Sequence, residues 1–322
     1  MGLLVDGQWH DRWYDTAASG GRFVREDAQF RGELGSAEHP IESGRYHLYV
    51  SLACPWAHRT LIVRAMKDLE AHIGVSVVGT LMLDKGWTFD EATGSTGDQL
   101  SGAQFMHEIY TRARSNYSGR VTVPVLWDRQ RETIVNNESS EIIRQLGSAF
   151  DELTGNTLDF YPPALREQID AWNVRIYPAI NNGVYRAGFA TTQEAYEEAY
   201  VELFGELDAV DRHLQERRYL AGDQLTEADI RLFTTLIRFD AVYHGHFKCN
   251  RQRIEDFDAI AGYVRDIYQL PGVAQTVDFH HIKTHYYGSH KTINPTGVVP
   301  AGPGIDYWRP HGRDKLSTAA AA

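Results

Sequence analysis

The sequence predicts an α/β domain followed by an all-helical one, and three observations carry the prediction. Strand-forming runs are confined to roughly the first 150 residues, helical periodicity dominates the remainder, and strands and helices in the first part alternate as β-α-β and then β-β-α. With 322 residues the chain suits one large domain or two ordinary ones. Its 43% hydrophobic and 23% charged residues match a globular chain with a full core.

Residues 1–43 are polar, Gly-rich and dotted with aromatics, without a clear period, and read as an N-terminal extension wrapped on a domain. "RYHLYVS" (45–51) is a strand by its β-branched and aromatic content. From Pro55 the apolar residues Trp56, Leu61, Ile62, Ala65, Met66 and Leu69 recur at helical spacing, and "VSVVG" (75–79) is a second strand. Tyr46 to Gly79 is therefore a β-α-β unit, whose order implies a parallel pair. Residues 80–118 are rich in Gly, Ser, Thr and Asp and read as a long loop, a length more often functional than neutral. "TVPVLWD" (122–128) and "TIV" (133–135) flank a charged turn and form a hairpin, and "ESSEIIRQL" (138–146) is a helix. This order is that of a thioredoxin-like domain, spanning 44–150.

Beyond 151 helical patterns run through 163–181, 192–216, 226–243, 254–269 and 273–284, so 151–322 is read as an all-helical domain with an extended tail from about 285. In "LTEADIRLF" Thr226 and Asp229 have the spacing of a capping box, worth about 1 kcal/mol. No internal repeat is present, and the closing "STAAAA" is low complexity and expected to be disordered.

The net charge of −11 argues against a nucleic-acid backbone partner, which needs clustered positive charge. Two cysteines far apart, Cys54 and Cys249, imply no disulfide framework and point to a reduced cytoplasmic setting. The start lacks the basic-then-apolar pattern of a secretory signal, and Asp6 stands where a myristoylation motif wants Ser or Thr. No apolar run of about 18 residues suggests a membrane span.

Cys54 lies where the first strand hands over to the first helix, followed by Pro55 at a position where a missing N–H costs nothing. One reading is a small buried apolar residue. The other is a reactive thiolate, favoured by the positive end of the helix dipole. The stretch Cys54-Pro55-Trp56-Ala57 lacks the second cysteine of a Cys-x-x-Cys redox motif. A one-cysteine site needs an external thiol to finish its reaction, and in a reduced cytoplasm glutathione is the natural one. A cis bond at Val123-Pro124 would turn the valine N–H and C=O toward a peptide ligand. Glu138-Ser139 opens a helix whose N–H groups suit a carboxylate, with Glu138 available to an ammonium; the bland reading is an ordinary helix start. His58, His285 and His290 have no zinc-like spacing, so no metal is assigned.

With these residues in view, the chain resembles the glutathionyl-hydroquinone reductases, the Xi class of glutathione transferases. The stretches that carry the resemblance are "SLACPWAHRTLIVRAMKDLE", "GWTFDE", "VTVPVLWD", "IVNNESSEIIR", "VYRAGFATTQEAY", "LTEADIRLF" and "HYYGSHKTINPTGVVPAGP". The resemblance implies a glutathione-transferase helical C-terminal domain, Cys54 as nucleophile and Trp87 as a cover over glutathione. It implies Val123 as a backbone clamp on the glutathione cysteine moiety and Glu138 and Ser139 as the site for its γ-glutamyl end. Arg120 is carried over as a partner for a carboxylate, against the alternative of a solvated charge before a strand. Tyr185 and Tyr287 are implied as phenols lining a hydroquinone pocket; Tyr286 and Tyr287 are neighbours that point different ways, so at most one of the two faces the site. A homodimer is implied as well. The expected activity is glutathione-dependent reduction of glutathionyl-hydroquinones, with glutathione as co-substrate and no metal. The alternatives are an omega-like thioltransferase or dehydroascorbate reductase, which needs no tyrosine pair, and a non-catalytic protein that keeps the transferase shape.

Overall fold

The computed structural model describes residues 2–318, so the last four residues of the low-complexity tail lie outside the described residues. Two compact units divide the chain. The first comprises the start up to Trp13, Arg25–Leu158 and Thr276–Val299; the second comprises Tyr14–Val24, Asp159–Gln275 and the chain from Pro300. The opening 43 residues thus serve both units, and the segment around 276–299 returns to the first.

In the first unit a hairpin of β1 (Leu3–Val5) and β2 (Gln8–His10) precedes β3 (Tyr46–Val50), α1 (Pro55–Met66) and β4 (Ile73–Val77). β3 and β4 are parallel, as the β-α-β order requires, and every residue of β3 is buried. Next come β5 (Met82–Leu83), β6 (Gly86–Trp87), α2 (Met106–Ala113) and β7 (Gly119–Arg120). The expected long loop at 80–118 is therefore corrected: it holds a two-residue hairpin and a two-turn helix. The helix forms because Met106, Ile109 and Tyr110 repeat at i, i+3, i+4 and are all buried. β8 (Val125–Asp128) and β9 (Thr133–Asn136) form the expected hairpin, giving a mixed sheet in the order β4-β3-β8-β9. A separate sheet, β2-β1-β7, ties the chain start to the strand before Val123. α3 (Ser139–Leu146), packed on α1, and the single turn α4 (Asp151–Thr154) follow.

In the second unit α5 (Arg166–Ile176) widens into a π turn at Tyr177–Asn181 before α6 (Gly183–Gly188), and α7 (Gln193–Glu216) is the long helix. α8 (Glu227–Arg238) is buried at every position and also runs into a π turn, Phe239–Tyr243; α9 (Ile260–Tyr268) closes the set. The capping box at the start of α8 is present, and Asp229 does more than cap. Its carboxylate takes the N–H of Thr226 at 2.9 Å, the N–H of Leu220 at 2.9 Å and the hydroxyl of Tyr263 at 2.8 Å, fastening α8 to α9. α10 (Phe279–Ser289), expected to end near 284 and to belong to the helical domain, runs to Ser289 and packs on β5 of the first unit.

Candidate active site

Cys54 is the N-cap of α1, with extended backbone and Pro55 at the first helical position. Its carbonyl takes the N–H of His58 at 2.9 Å, so the first helical bond is closed around it. The thiol is half-buried, and Sγ lies 3.4 Å from the carbonyl oxygen of Val123. The Val123-Pro124 bond is cis. Cys54 and the expected clamp Val123, 69 residues apart, thus face each other.

One buried phenol fixes both peptide stretches that were expected to hold glutathione. The hydroxyl of Tyr110, on α2, donates to the carbonyl of Thr122 at 2.9 Å and accepts from the Thr122 N–H at 3.2 Å and from Asn137 Nδ2 at 3.1 Å. Thr122 precedes Val123 and Asn137 precedes Glu138, so their spacing is set by a fully buried ring whose ionisation burial pushes up, keeping it a neutral donor. Reading 80–118 as loop hid this residue.

Glu138 caps α3: one carboxylate oxygen, Oε1, takes the N–H of Ser140 at 2.9 Å and its hydroxyl at 2.8 Å. Oε2 has no protein partner among the described residues. Asn136 Oδ1 takes the N–H of Glu138 at 2.7 Å. Ser139 is buried, and its hydroxyl accepts from Arg59 Nη1 at 3.2 Å. Arg59, fully buried on α1, also lies over the indole of Trp56 at 4.6 Å, with Arg25 over the same indole at 5.0 Å. This cationic pair beside the Cys54 turn was missed in the sequence, where a lone arginine on a helix has no distinguishing signal.

Trp87 is buried rather than exposed, with 6% of its surface accessible, and its indole stacks on His285 at 4.7 Å. Its hairpin turns at Asp84-Lys85 and needs glycine at 86, where φ is +72° and a Cβ would come within 2.7 Å of the Trp9 ring. Trp9 Nε1 donates to the carbonyl of Asp84 at 2.8 Å, so β2 braces this hairpin. Arg120 has structural partners: Nη1 donates to the carbonyl of Arg12 at 2.6 Å, and Nε lies 3.8 Å from Glu26. Of the adjacent tyrosines on α10, Tyr286 is buried with 2% exposure and Tyr287 is half-buried. His58 bonds to Thr276 Oγ1 at 2.7 Å, and no cluster that could hold a metal exists among the described residues.

In the second unit, Tyr185 of α6 sits in an aromatic cluster, with ring centroids at 5.6 Å from Phe247, 5.9 Å from Tyr243, 6.0 Å from Phe189 and 6.4 Å from Phe23. The π turn before α6 is pinned by Asn181, whose Nδ2 donates to the carbonyl of Arg231 at 2.9 Å and to Thr235 Oγ1 at 2.8 Å. Cys249 is wholly buried, and burial pushes its thiol pKa up, so it is a core residue.

The fold is that of a glutathione transferase, with Cys54 at the start of its first helix. Family models for the glutathione S-transferase N-terminal and C-terminal domains match residues 53–149 and 193–266. The chain is 56% identical to the glutathionyl-hydroquinone reductase YqjG of Escherichia coli (strain K12), over 98% of this chain and 99% of that protein. It is 55% identical to the glutathionyl-hydroquinone reductase PcpF of Sphingobium chlorophenolicum, over 94% of this chain and 96% of that one. The glutathione-bound structure of YqjG superposes with a TM-score of 0.90 at 53% identity, covering 97% of this chain and 99% of that chain. A Xi-class glutathione transferase from Natrialba magadii superposes with a TM-score of 0.92 at 49% identity, covering 98% of each chain. The chain belongs to the glutathionyl-hydroquinone reductases, the Xi class of the glutathione S-transferase family.

Proposed function

We propose that this protein is a glutathione-dependent enzyme that reduces glutathionyl-hydroquinones to hydroquinones through a mixed disulfide on Cys54. The observation that carries the reading is the pairing of a helix-capping, half-buried Cys54 with the Val123 carbonyl at 3.4 Å, in a chain of this family. That geometry supports a peptide ligand lying along Val123 beside the sulfur. The substrate is an aromatic ring that carries glutathione through a thioether.

Cys54 thiolate attacks the glutathionyl sulfur. The new S–S bond forms as the C–S bond breaks, and the ring carbon leaves with the electron pair and takes a proton. The Cys54 and glutathionyl sulfurs are each oxidised by one electron to the disulfide, and the ring is reduced by two electrons. The carbon leaves readily only if the ring first takes its keto form, so proton delivery matters. The phenols of Tyr185 and Tyr287 supply it as general acids and stabilise negative charge on the ring oxygens. A second glutathione thiolate then attacks the Cys54 disulfide, releasing oxidised glutathione and restoring the thiolate, a ping-pong sequence with a covalent intermediate. Glu138 Oε2 takes the ammonium of the γ-glutamyl end, Ser139 its carboxylate, Val123 the cysteine moiety, and Trp87 covers the ligand. Arg120, which also donates to the Arg12 carbonyl, pairs with a glutathione carboxylate. The enzyme works as a cytoplasmic homodimer; among the described residues no helix is long and apolar enough to cross a membrane.

The test is intact mass after exposure to oxidised glutathione, followed by turnover of a glutathionyl-hydroquinone, for wild type and Cys54→Ser. One glutathione adduct lost in the variant, together with release of the free ring by wild type, is the expected result. An adduct without ring release would make the protein an omega-like thioltransferase. Ring turnover by the Cys54→Ser variant would overturn the mechanism.

A further inference from the structure

We infer that His285 is a positioning residue that holds the glutathione cover and the ring-donor helix as one body; the inference rests on the function proposed above. His285 lies on α10, two residues before Tyr287, and is buried at 6% exposure. At 3.6 residues per turn, positions two apart point to very different sides of a helix, so His285 acts through the placement of α10 and not beside the Tyr287 phenol. Its ring lies against the Trp87 indole, with centroids 4.7 Å apart and planes 23° from parallel.

The polar contacts fix that stack. His285 Nδ1 is 3.1 Å from the carbonyl of Thr80, which can only accept, so Nδ1 carries the proton and the tautomer is set. Ser289, one turn on, takes the N–H of Met82 at 3.0 Å. The segment before β5 lies directly against α10: a Cβ on Gly288 would lie 2.6 Å from the Leu81 side chain. On its other sides the imidazole meets Tyr286 at 5.2 Å and His290 at 5.6 Å, both edge-on, and His290 in turn meets Trp13 at 6.4 Å. Thr80, Met82 and Trp87 are thus all attached to α10, and two of the three attachments run through the His285 ring. Glutathione held under Trp87 would therefore bring the Tyr287 helix with it, so the two ends of one glutathionyl-ring substrate are gripped together.

Two variants separate the ring from the donor. His285→Phe keeps the stack and removes the Nδ1–H; His285→Asn keeps an N–H near the Nδ1 position and removes the stack. Each is compared with wild type for the rate of Cys54 adduct formation with oxidised glutathione and for kcat and KM on a glutathionyl-hydroquinone. Adduct formation should fall only severalfold, through the loosened Trp87 cover, whereas kcat/KM on the ring substrate should fall about tenfold further in both variants. Trp87→Leu and Tyr287→Phe should combine less than multiplicatively in wild type and multiplicatively in the His285→Phe background. Unchanged ring turnover, or equal losses in adduct formation and ring turnover, would overturn the inference. Should wild type form the adduct but not turn over the ring, the functional reading fails by itself. The tether is then judged by amide exchange at Met82, where about tenfold faster exchange in His285→Phe upholds it and unchanged exchange sinks it.

Discussion

At the scale of single residues, the two cysteines have opposite fates for reasons that are local in one case and not in the other. Cys54 caps a helix and is half-buried, whereas Cys249 is sealed in the core with its thiol pKa raised by desolvation. Iodoacetamide should therefore label Cys54 alone in the native protein and Cys249 only in denaturant; rapid native labelling of both, mapped by peptide mass, would contradict this. Tyr110 offers a sharper test. Removing its hydroxyl leaves the Thr122 carbonyl and the Asn137 amide without their shared partner, which costs about 1–2 kcal/mol for buried groups. Tyr110→Phe should lower unfolding free energy by that order and raise the KM for glutathione about fivefold, with the Cys54 adduct still formed. An unchanged KM would show that Val123 and Glu138 are set by other bonds. The placement of Cys54 at a strand-to-helix turn was legible because proline, cysteine and periodicity are neighbours in sequence. Tyr110 and Arg59 were not, because each takes its role from a partner far along the chain: Asn137, 27 residues from Tyr110, and Ser139, 80 residues from Arg59.

At the scale of elements, the sequence displayed those whose period or turn chemistry is self-contained. The β-α-β unit, the hairpin of β8 and β9, and the long α7 are of this kind. The hairpin of β5 and β6 is not, since strands of two residues bury too little on their own to declare themselves. It exists because Trp9 of β2 braces it from the chain start and α10 binds it from near the chain end. This gives the polar opening residues a use that their composition did not announce. Trp9→Ala removes the bond to the Asp84 carbonyl and the ring against Gly86, and so loosens the element that carries Trp87. The expected effect is a severalfold rise in the KM for glutathione with intact cysteine labelling. Hydrogen exchange confined to 82–87 would locate the change, and wild-type KM with wild-type exchange would remove the brace from the account. A comparable rule governs 30–32, where the Gly32 N–H bonds to the Val135 carbonyl at 2.8 Å and Arg31 pairs with Glu141 on α3. There the extension covers an edge strand that would otherwise be open.

At the scale of the whole molecule, each unit carries a buried histidine that makes it sensitive to acid. His47 on β3 of the first unit and His246 in the second are both buried, and burial lowers each from an ordinary 6.5 to about 4. A histidine kept neutral in the folded state contributes stability that is fully present above its unfolded pKa. That contribution is lost as pH falls from about 6.5 toward 4, because the unfolded chain binds the proton first. The gap corresponds to roughly 3 kcal/mol per histidine at most. Asp128 acts further down: burial alone would raise its carboxyl, but bonds from Arg45 and His39 and two backbone N–H groups outweigh burial and hold it below its ordinary value. Its contribution is present above the unfolded pKa near 4 and disappears only below that. One effect runs the other way. With 43 acidic against 32 basic residues, lowering the pH relieves self-repulsion, an influence that salt screens within about 8 Å at physiological ionic strength. Urea unfolding in physiological salt should therefore show stability falling steadily between pH 7 and 4.5, a range in which histidines titrate ahead of most carboxylates. His47→Gln should flatten that decline, read by intrinsic tryptophan fluorescence, to which the first unit contributes five of the seven tryptophans. Stability that held constant down to pH 4.5 in wild type would mean that charge relief, rather than buried imidazole, governs the response.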